Sequence, residues 1–437
     1  LDQSGIRAIR EEMIEDLKFE IENLNIASDV NFVLPLANRN RAAEILQTLD
    51  YPTTRLEGWK YTRVAKIKNT TFSVSKTANE NSNLDSFLIP NLLGSRIVFV
   101  NGFYQEKLSV FEEESGISIS SLSQNPTWTA NYLDSILPSD GEYFNAMNSY
   151  TATDGVAIHI AKKSNIQQSV QVIFINSGGN TYASNRNVIV CEDFASAHVS
   201  LGFFSENADN SFQNVVSEIF VGANANLTID KIQLENESSF TIATEQVKQE
   251  KDATFTINTI TLDGGLVRNN LTIAVDGQNS ETNLSGAYVL RGKQHVDNHT
   301  VVDHKVAHCV SNELYKGVMD ENSTAVFNGK VFVRKDAQKI NAFQSNGNVL
   351  LSDNATINSK PELEIYADDV KCSHGSTTGQ LDEEAVFYLR ARGISEKSAR
   401  ALMVAAFIGE VLEKIENEAV RDFVDQKLLE KFGWEMS

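Results

Sequence analysis

The chain has 437 residues, of which 58 are acidic and 38 basic, giving a formal charge of −20; 41% are apolar and 22% charged. That is an ordinary globular composition. So acidic a surface repels phosphate backbones, and no Lys/Arg-rich run with interleaved aromatics offsets it, so nucleic acid is not an expected partner. No stretch approaches the roughly 20 consecutive apolar residues that cross a bilayer, and Asp2, Glu11, Glu12, Glu15 and Asp16 occupy the place of a basic signal-peptide region. Cys191, Cys309 and Cys372 lie far apart and form no CxxC pair. A disulfide framework or a self-contained zinc site is therefore not expected, and neither is a membrane; the cytoplasm is the expected compartment.

Taken in chain order, Ile6, Ile9, Met13, Leu17, Phe19, Ile21 and Leu24 recur mostly at three- or four-residue steps, which predicts an amphipathic helix over 6–26. A second helix is predicted from about Ala37 to Leu49, ended by the Asp50-Tyr51-Pro52 turn. From about Arg96 the period becomes two: Ile97-Val98-Phe99-Val100 and Val156-Ala157-Ile158-His159-Ile160 predict strands.

A spacing then carries most of the information. Ala197-His198-Val199-Ser200-Leu201, Ala225-Asn226-Leu227-Thr228-Ile229 and Ala253-Thr254-Phe255-Thr256-Ile257 each follow a small residue with alternating positions, 28 residues apart, and Ser280-Glu281-Thr282-Asn283-Leu284 follows after 27. A second alternating run lies between copies: Val215 to Val221, Phe240 to Val247, Leu271 to Val275. A fixed period in the twenties is a solenoid signature, each rung holding two short strands and two turns. An antiparallel sandwich gives no reason for equal spacing. The predicted fold is mainly β: a right-handed parallel β-helix core over 96–371, flanked by α-helical domains at 1–95 and 372–437. Asp382 is a predicted cap for a helix ending before Gly393. Ser395 caps another with the stripe Ala399, Leu402, Met403, Ala406, Phe407 and Val411, and a last helix covers 417–432.

Several residues invite a chemical reading. His374 and Cys372 stand two apart, so on a strand they share a face; imidazole and thiolate both suit iron, but two ligands cannot hold a cluster without another chain or water. The bland readings are a histidine satisfied by turn backbone and a small buried cysteine. His295, His299, His304 and His308 beside Cys309 suggest a metal site only if helical. In a strand His295 and His299 are roughly 13 Å apart at about 3.3 Å per residue, and Val301-Val302 favour strand. Trp59 and Tyr61 near Arg55 and Lys60 read as anchors of the N-terminal region. Gly264-Gly265 lacks the spacing and the Lys-Ser/Thr of a phosphate loop.

The segment from Tyr366 through Cys372-Ser373-His374-Gly375 to Thr377 resembles the signature of the SufB/SufD family of iron–sulfur cluster assembly scaffolds. Gly379-Gln380-Leu381-Asp382, Phe387-Tyr388-Leu389-Arg390-Ala391-Arg392-Gly393, Tyr315-Lys316-Gly317, Val326-Phe327-Asn328-Gly329-Lys330, and the block from Pro52 to Thr62 are similar to further family motifs. His374-Gly375, where SufB-like chains tend to carry His-Glu, and the scarcity of cysteines favour the SufD-like branch. The resemblance implies a non-catalytic subunit that pairs with SufB and binds the ATPase SufC through its C-terminal helices, with Leu402, Met403, Ala406 and Phe407 as candidate SufC contacts. It implies no cofactor held by this chain alone, but a transient iron–sulfur cluster at the interface shared with SufB. His374 and Cys372 are the candidate residues there, His374 as a transient iron ligand. An uncovered β-helix edge is prone to pair, so a homodimer of the isolated chain stands open beside a monomer, and the sequence does not choose between them. The alternatives are a SufB-like cluster-holding scaffold and a secreted-type β-helical carbohydrate-active enzyme, which needs Asp, Lys or Arg on one wall where the repeats carry Thr, Asn and Ser.

Overall fold

A computed structural model describes residues 24–74, 84–137 and 141–432. The first elements are a strand pair, β1 (Leu24–Ile26) with β2 (Phe72–Val74), and between them helix α1 (Leu36–Thr48) and the short α2 (Ala65–Lys68). The helix predicted over 6–26 falls outside the described residues except at its end, where Leu24 to Ile26 form a strand. There follow β3 (Arg96–Val100), β4 (Phe103–Tyr104), β5 (Ile117–Ser121) and α3 (Tyr143–Thr151).

The solenoid is made of β6 (Val156–Ile160), β7 (Val170–Gly179), β8 (Tyr182–Cys191), β9 (Ser196–Asp209), β10 (Phe212–Val221), β11 (Asn226–Leu234), β12 (Phe240–Gln249) and β13 (Thr254–Asp263). It continues through β14 (Leu266–Val275), β15 (Glu281–Leu290), β16 (His295–His304), β17 (Val310–Met319), β18 (Thr324–Val333), β19 (Asn341–Leu350), β20 (Thr356–Ile365) and β21 (Lys371–Gly379). Even-numbered strands stack in one parallel sheet and odd-numbered strands in the other, making about eight turns. Helices α4 (Glu383–Arg390), α5 (Glu396–Leu412) and α6 (Glu418–Phe432) complete the described chain.

The repeat has the predicted two strands and two turns, with one shift of register. Leu227 pairs with Phe255 as the spacing predicts, but on its other side it pairs with Ala197, not Val199. The first copy is thus Ala195-Ser196-Ala197, thirty residues from its neighbour. A slip of two residues preserves which side chains face inward, so pattern alone does not detect it. Corners are turned by left-handed residues, including Asn180, Asn210, Asn224, Asp252 and Asn279, residue types that tolerate that conformation. Val199, Ile229, Ile257 and Leu284 stack as one inward column. Farther along, the lumen is tightly interlocked. A side chain at Gly286 would overlap the Tyr315 ring and one at Gly317 the Tyr288 ring, which accounts physically for Tyr315-Lys316-Gly317.

Both outer walls are covered. Trp59, Val64, Phe144 and Met147 pack with Tyr182, Phe212, Phe240 and Leu266 on the even sheet. The Arg268 guanidinium lies 3.8 Å over the Trp59 ring and donates to the Gly58 carbonyl and to Asp297, so Trp59 is an anchor as predicted, whereas Tyr61 is 42% exposed and is not one. Helices α5 and α6 lie along the odd sheet, with Val404, Ile408 and Val411 over Ile232, Ile260 and Val318. They run beside the solenoid. The predicted boundary at residue 372 falls within β21, which runs to Gly379, so Cys372 and His374 belong to the last rung rather than to a passage into helix.

Candidate functional site

Each sheet ends on a strand with a neighbour on one side: β20 for the even sheet and β21 for the odd. In a parallel ladder one residue turns both its N–H and its C=O to the same neighbour, and the next residue turns away. Lys371 N–H donates to Ile340 in the preceding rung, so Cys372, His374, Ser376 and Thr378 direct their backbone groups to the open edge. On β20, Thr356 and Tyr366 donate inward to the ladder, so Pro361 sits at an outward position. Its missing N–H removes an edge donor there, the usual place for proline in a sheet. β21 carries no proline and keeps its donors.

Strand pairing also fixes what lies beneath each side chain. Cys372 stacks on Ala342 and Ser311, and His374 stacks on Gln344 and Glu313. Cys372 and His374 therefore share the inward face, as their spacing predicts, but at the end of the tube that face opens to solvent. His374 is exposed and Cys372 half-buried. Burial pushes the Cys372 thiol up, a hydrogen bond from the Ala342 backbone opposing it, so the thiolate needs a metal or base to form. One imidazole and one thiol from a single chain leave a cluster's shell incomplete. Among the described residues no group of three or more His, Cys, Asp and Glu is arranged to hold a metal ion.

Beneath the rim the lumen is polar. Glu313 is buried and accepts from Thr300 Oγ1 at 2.5 Å and from Gln344 Nε2 at 2.7 Å; burial pushes its carboxyl up and these donors oppose that. Gln344 Oε1 is buried and has no partner among the described residues. The sequence reading missed Gln344 and Glu313, because a polar residue at an inward position breaks the alternation that marks a strand.

The histidine cluster is dispersed by its strand. His295 and His299 face outward beneath the N-terminal region, where His295 Nε2 meets Thr62 Oγ1 at 2.9 Å and His299 meets Asp297 at 3.0 Å. Burial raises the Asp297 carboxyl, but Arg268 and His299 outweigh it and hold that group far below the carboxylate range. His304 faces the lumen against Ser311, its pKa lowered to about 4 by burial. His308 is exposed in a turn.

The C-terminal stripe divides. Met403 and Phe407 are partly buried against the odd sheet, and Lys316 Nζ donates to the Phe407 carbonyl at 2.9 Å. Leu402 is 48% exposed and Ala406 is also exposed. On α4, Phe387 and Tyr388 are 71% and 57% exposed, a surface that helical periodicity alone does not mark. A groove of about 420 Å³ between the end of β19 and helices α4 and α5 is lined by Leu350, Leu381, Glu383, Lys397 and Arg400.

Residues 173–407 match the core domain described as "SUF system FeS cluster assembly, SufBD core domain", and residues 19–172 match the SufBD N-terminal region. The chain belongs to the SufB/SufD family. It is 34% identical over 394 residues to an iron–sulfur cluster assembly SufBD family protein of Synechocystis, covering 86% of each chain. It is 31% identical over 387 residues to the iron–sulfur cluster assembly protein SufD of Escherichia coli, covering 87% of this chain and 88% of that one. SufD of Bacillus subtilis is 27% identical over 292 residues, 64% of this chain and 65% of that one.

Proposed function

We propose that this chain is a SufD-like, non-catalytic scaffold subunit of iron–sulfur cluster assembly, working in the cytoplasm. It pairs edge to edge with a SufB-type solenoid and carries a SufC-type ATPase on its C-terminal helices. The solenoid winds right-handed, as strand crossovers do. The observation that carries the reading is His374: it stands exposed on a terminal strand whose outward backbone groups are unpaired within the sheet. Beside that rung Phe343, Ile365 and Tyr366 are 47%, 39% and 60% exposed, apolar surface of the kind that marks an interface. A partner strand would extend the ladder and seat His374 and Cys372 in the seam. The nascent cluster is cargo there. This chain supplies one imidazole and one thiol, and the partner supplies the remaining ligands. Without that partner, two copies pair through the same edge.

On this reading the docking module begins after Gly379, with Leu402, Ala406, Phe387 and Tyr388 outermost. The test is reconstitution with SufB and SufC of the same host. His374→Ala is expected to co-purify with both partners and to form clusters at least about tenfold more slowly, the scale of losing a metal-site ligand or its support. An unchanged rate rejects the site, and failure of the wild-type chain to bring down SufB rejects the pairing.

A further inference from the structure

The deepest feature of the site lies one rung below it and rests on the reading of His374 just given. Gln344 crosses the lumen toward Gly329, where any side chain would overlap its amide nitrogen. Its Nε2 is committed to Glu313 Oε2 at 2.7 Å, and Glu313 is held in turn by Thr300. That fixes the amide with Oε1 turned away from Glu313. This oxygen is buried, in a side chain only 3% exposed, and has no partner among the described residues. An acceptor left in that condition destabilises a fold. Along its column Glu313 below is already engaged, and across the lumen Gly329 has no side chain to offer. The ring above is His374, its register partner.

We infer that Gln344 is a positioning residue for His374. In the described conformation His374 is exposed and does not bond this oxygen; turned inward over its register partner, the ring donates one imidazole N–H to Oε1, which Glu313 keeps free for it by holding the amide nitrogen. Holding one ring nitrogen protonated leaves the lone pair of the other free. That nitrogen then points to the seam as an iron ligand or proton acceptor. Second-layer partners of this kind select the tautomer and orientation of ligating histidines. Gly329 keeps the space in which the amide lies, which gives Asn328-Gly329-Lys330 a physical role.

The test uses the full chain with ¹⁵N-labelled histidine, His374 being assigned by comparison with His374→Gln. Long-range ¹H–¹⁵N spectra are expected to show a single tautomer for His374 in the wild type and in Glu313→Gln, which can still accept from Gln344. They are expected to show a tautomer mixture in Gln344→Met and Glu313→Leu. Gly329→Ala displaces the amide without altering Gln344 and is expected to give the same mixture, which keeps the test open should Gln344→Met fold poorly. In the reconstituted complex Gln344→Met is expected to slow cluster formation about tenfold. An unchanged tautomer and rate in Gln344→Met, with His374→Ala still slow, overturns the positioning role and leaves the site reading intact. A tautomer released by Gln344→Met while His374→Ala assembles at the normal rate supports the positioning role and overturns the site reading.

Discussion

At the scale of single residues, the lumen holds charge that the sequence pattern conceals. Lys231 Nζ meets Glu245 at 2.6 Å, both side chains being essentially inaccessible. Nearby, Glu235 accepts from Thr241 at 2.5 Å and from Asn176 at 3.4 Å. Burial drives the Glu235 carboxyl up to about 7, against the opposing Thr241 hydrogen bond and the Lys231 charge. A carboxyl raised on folding contributes stability that is fully present below its unfolded pKa, about 4.3, and is lost as pH rises through the folded value. Glu235→Gln, which mimics the protonated acid, is therefore expected to match the wild type near pH 4 and to exceed it by about 3 kcal/mol at pH 8. Urea unfolding at the two pH values reads this directly; equal stabilities at pH 8 would show that folding does not raise the Glu235 carboxyl. Sequence alone offered no route to these groups, because an inward Lys, Glu or Gln is indistinguishable from an outward one until its cross-lumen partner is known.

At the scale of elements, the C-terminal helices were legible almost in full. Asp382 accepts from the N–H groups of Glu384 and Ala385, Ser395 accepts from Ser398, and Gly393 has a positive φ, as the capping signals require. What the stripe on α5 does could not be read from its period, since a helix face can meet a sheet or a partner with the same residues. Here Phe407 turns to the wall, with Lys316 Nζ 4.6 Å from its ring, whereas Leu402 turns out. Phe407→Ala is expected to destabilise the chain by about 2 kcal/mol, less than a fully buried ring. Leu402→Ser should stay within about 0.5 kcal/mol of the wild type yet weaken capture of the proposed SufC-type partner. Unfolding curves and pull-downs on the two variants separate these effects. A Leu402→Ser chain that captures the ATPase normally takes this residue out of the docking surface.

At the scale of the whole molecule, the tube is closed on its sides and open at one end. The even sheet ends with a proline at an outward edge position; the odd sheet ends with a full set of outward donors and acceptors on Cys372, His374, Ser376 and Thr378. Edge strands without such protection add a further strand. Ser376→Pro removes one outward N–H and no bond to β19, so the monomer should fold. Affinity for the proposed SufB-type partner, by titration calorimetry, is expected to fall about tenfold or more. Ser376→Ala controls for the hydroxyl that meets Ser359 at 2.8 Å. Undiminished affinity in the proline variant would mean that the partner docks elsewhere.

The sequence by itself determined the periodic two-strand rung, the strand character of the histidine-rich segment, the helix caps and the family signature, because each depends on neighbours a few residues apart or on a fixed repeat. The tertiary structure decided the two-residue register shift at Ala197, the extension of the last strand to Gly379 and the stacking of Glu313, Gln344 and His374 in one column. Those depend on which residues face one another across turns of about thirty residues. Hydrogen bonding between rungs sets that pairing, and the order of residues along a single strand does not record it.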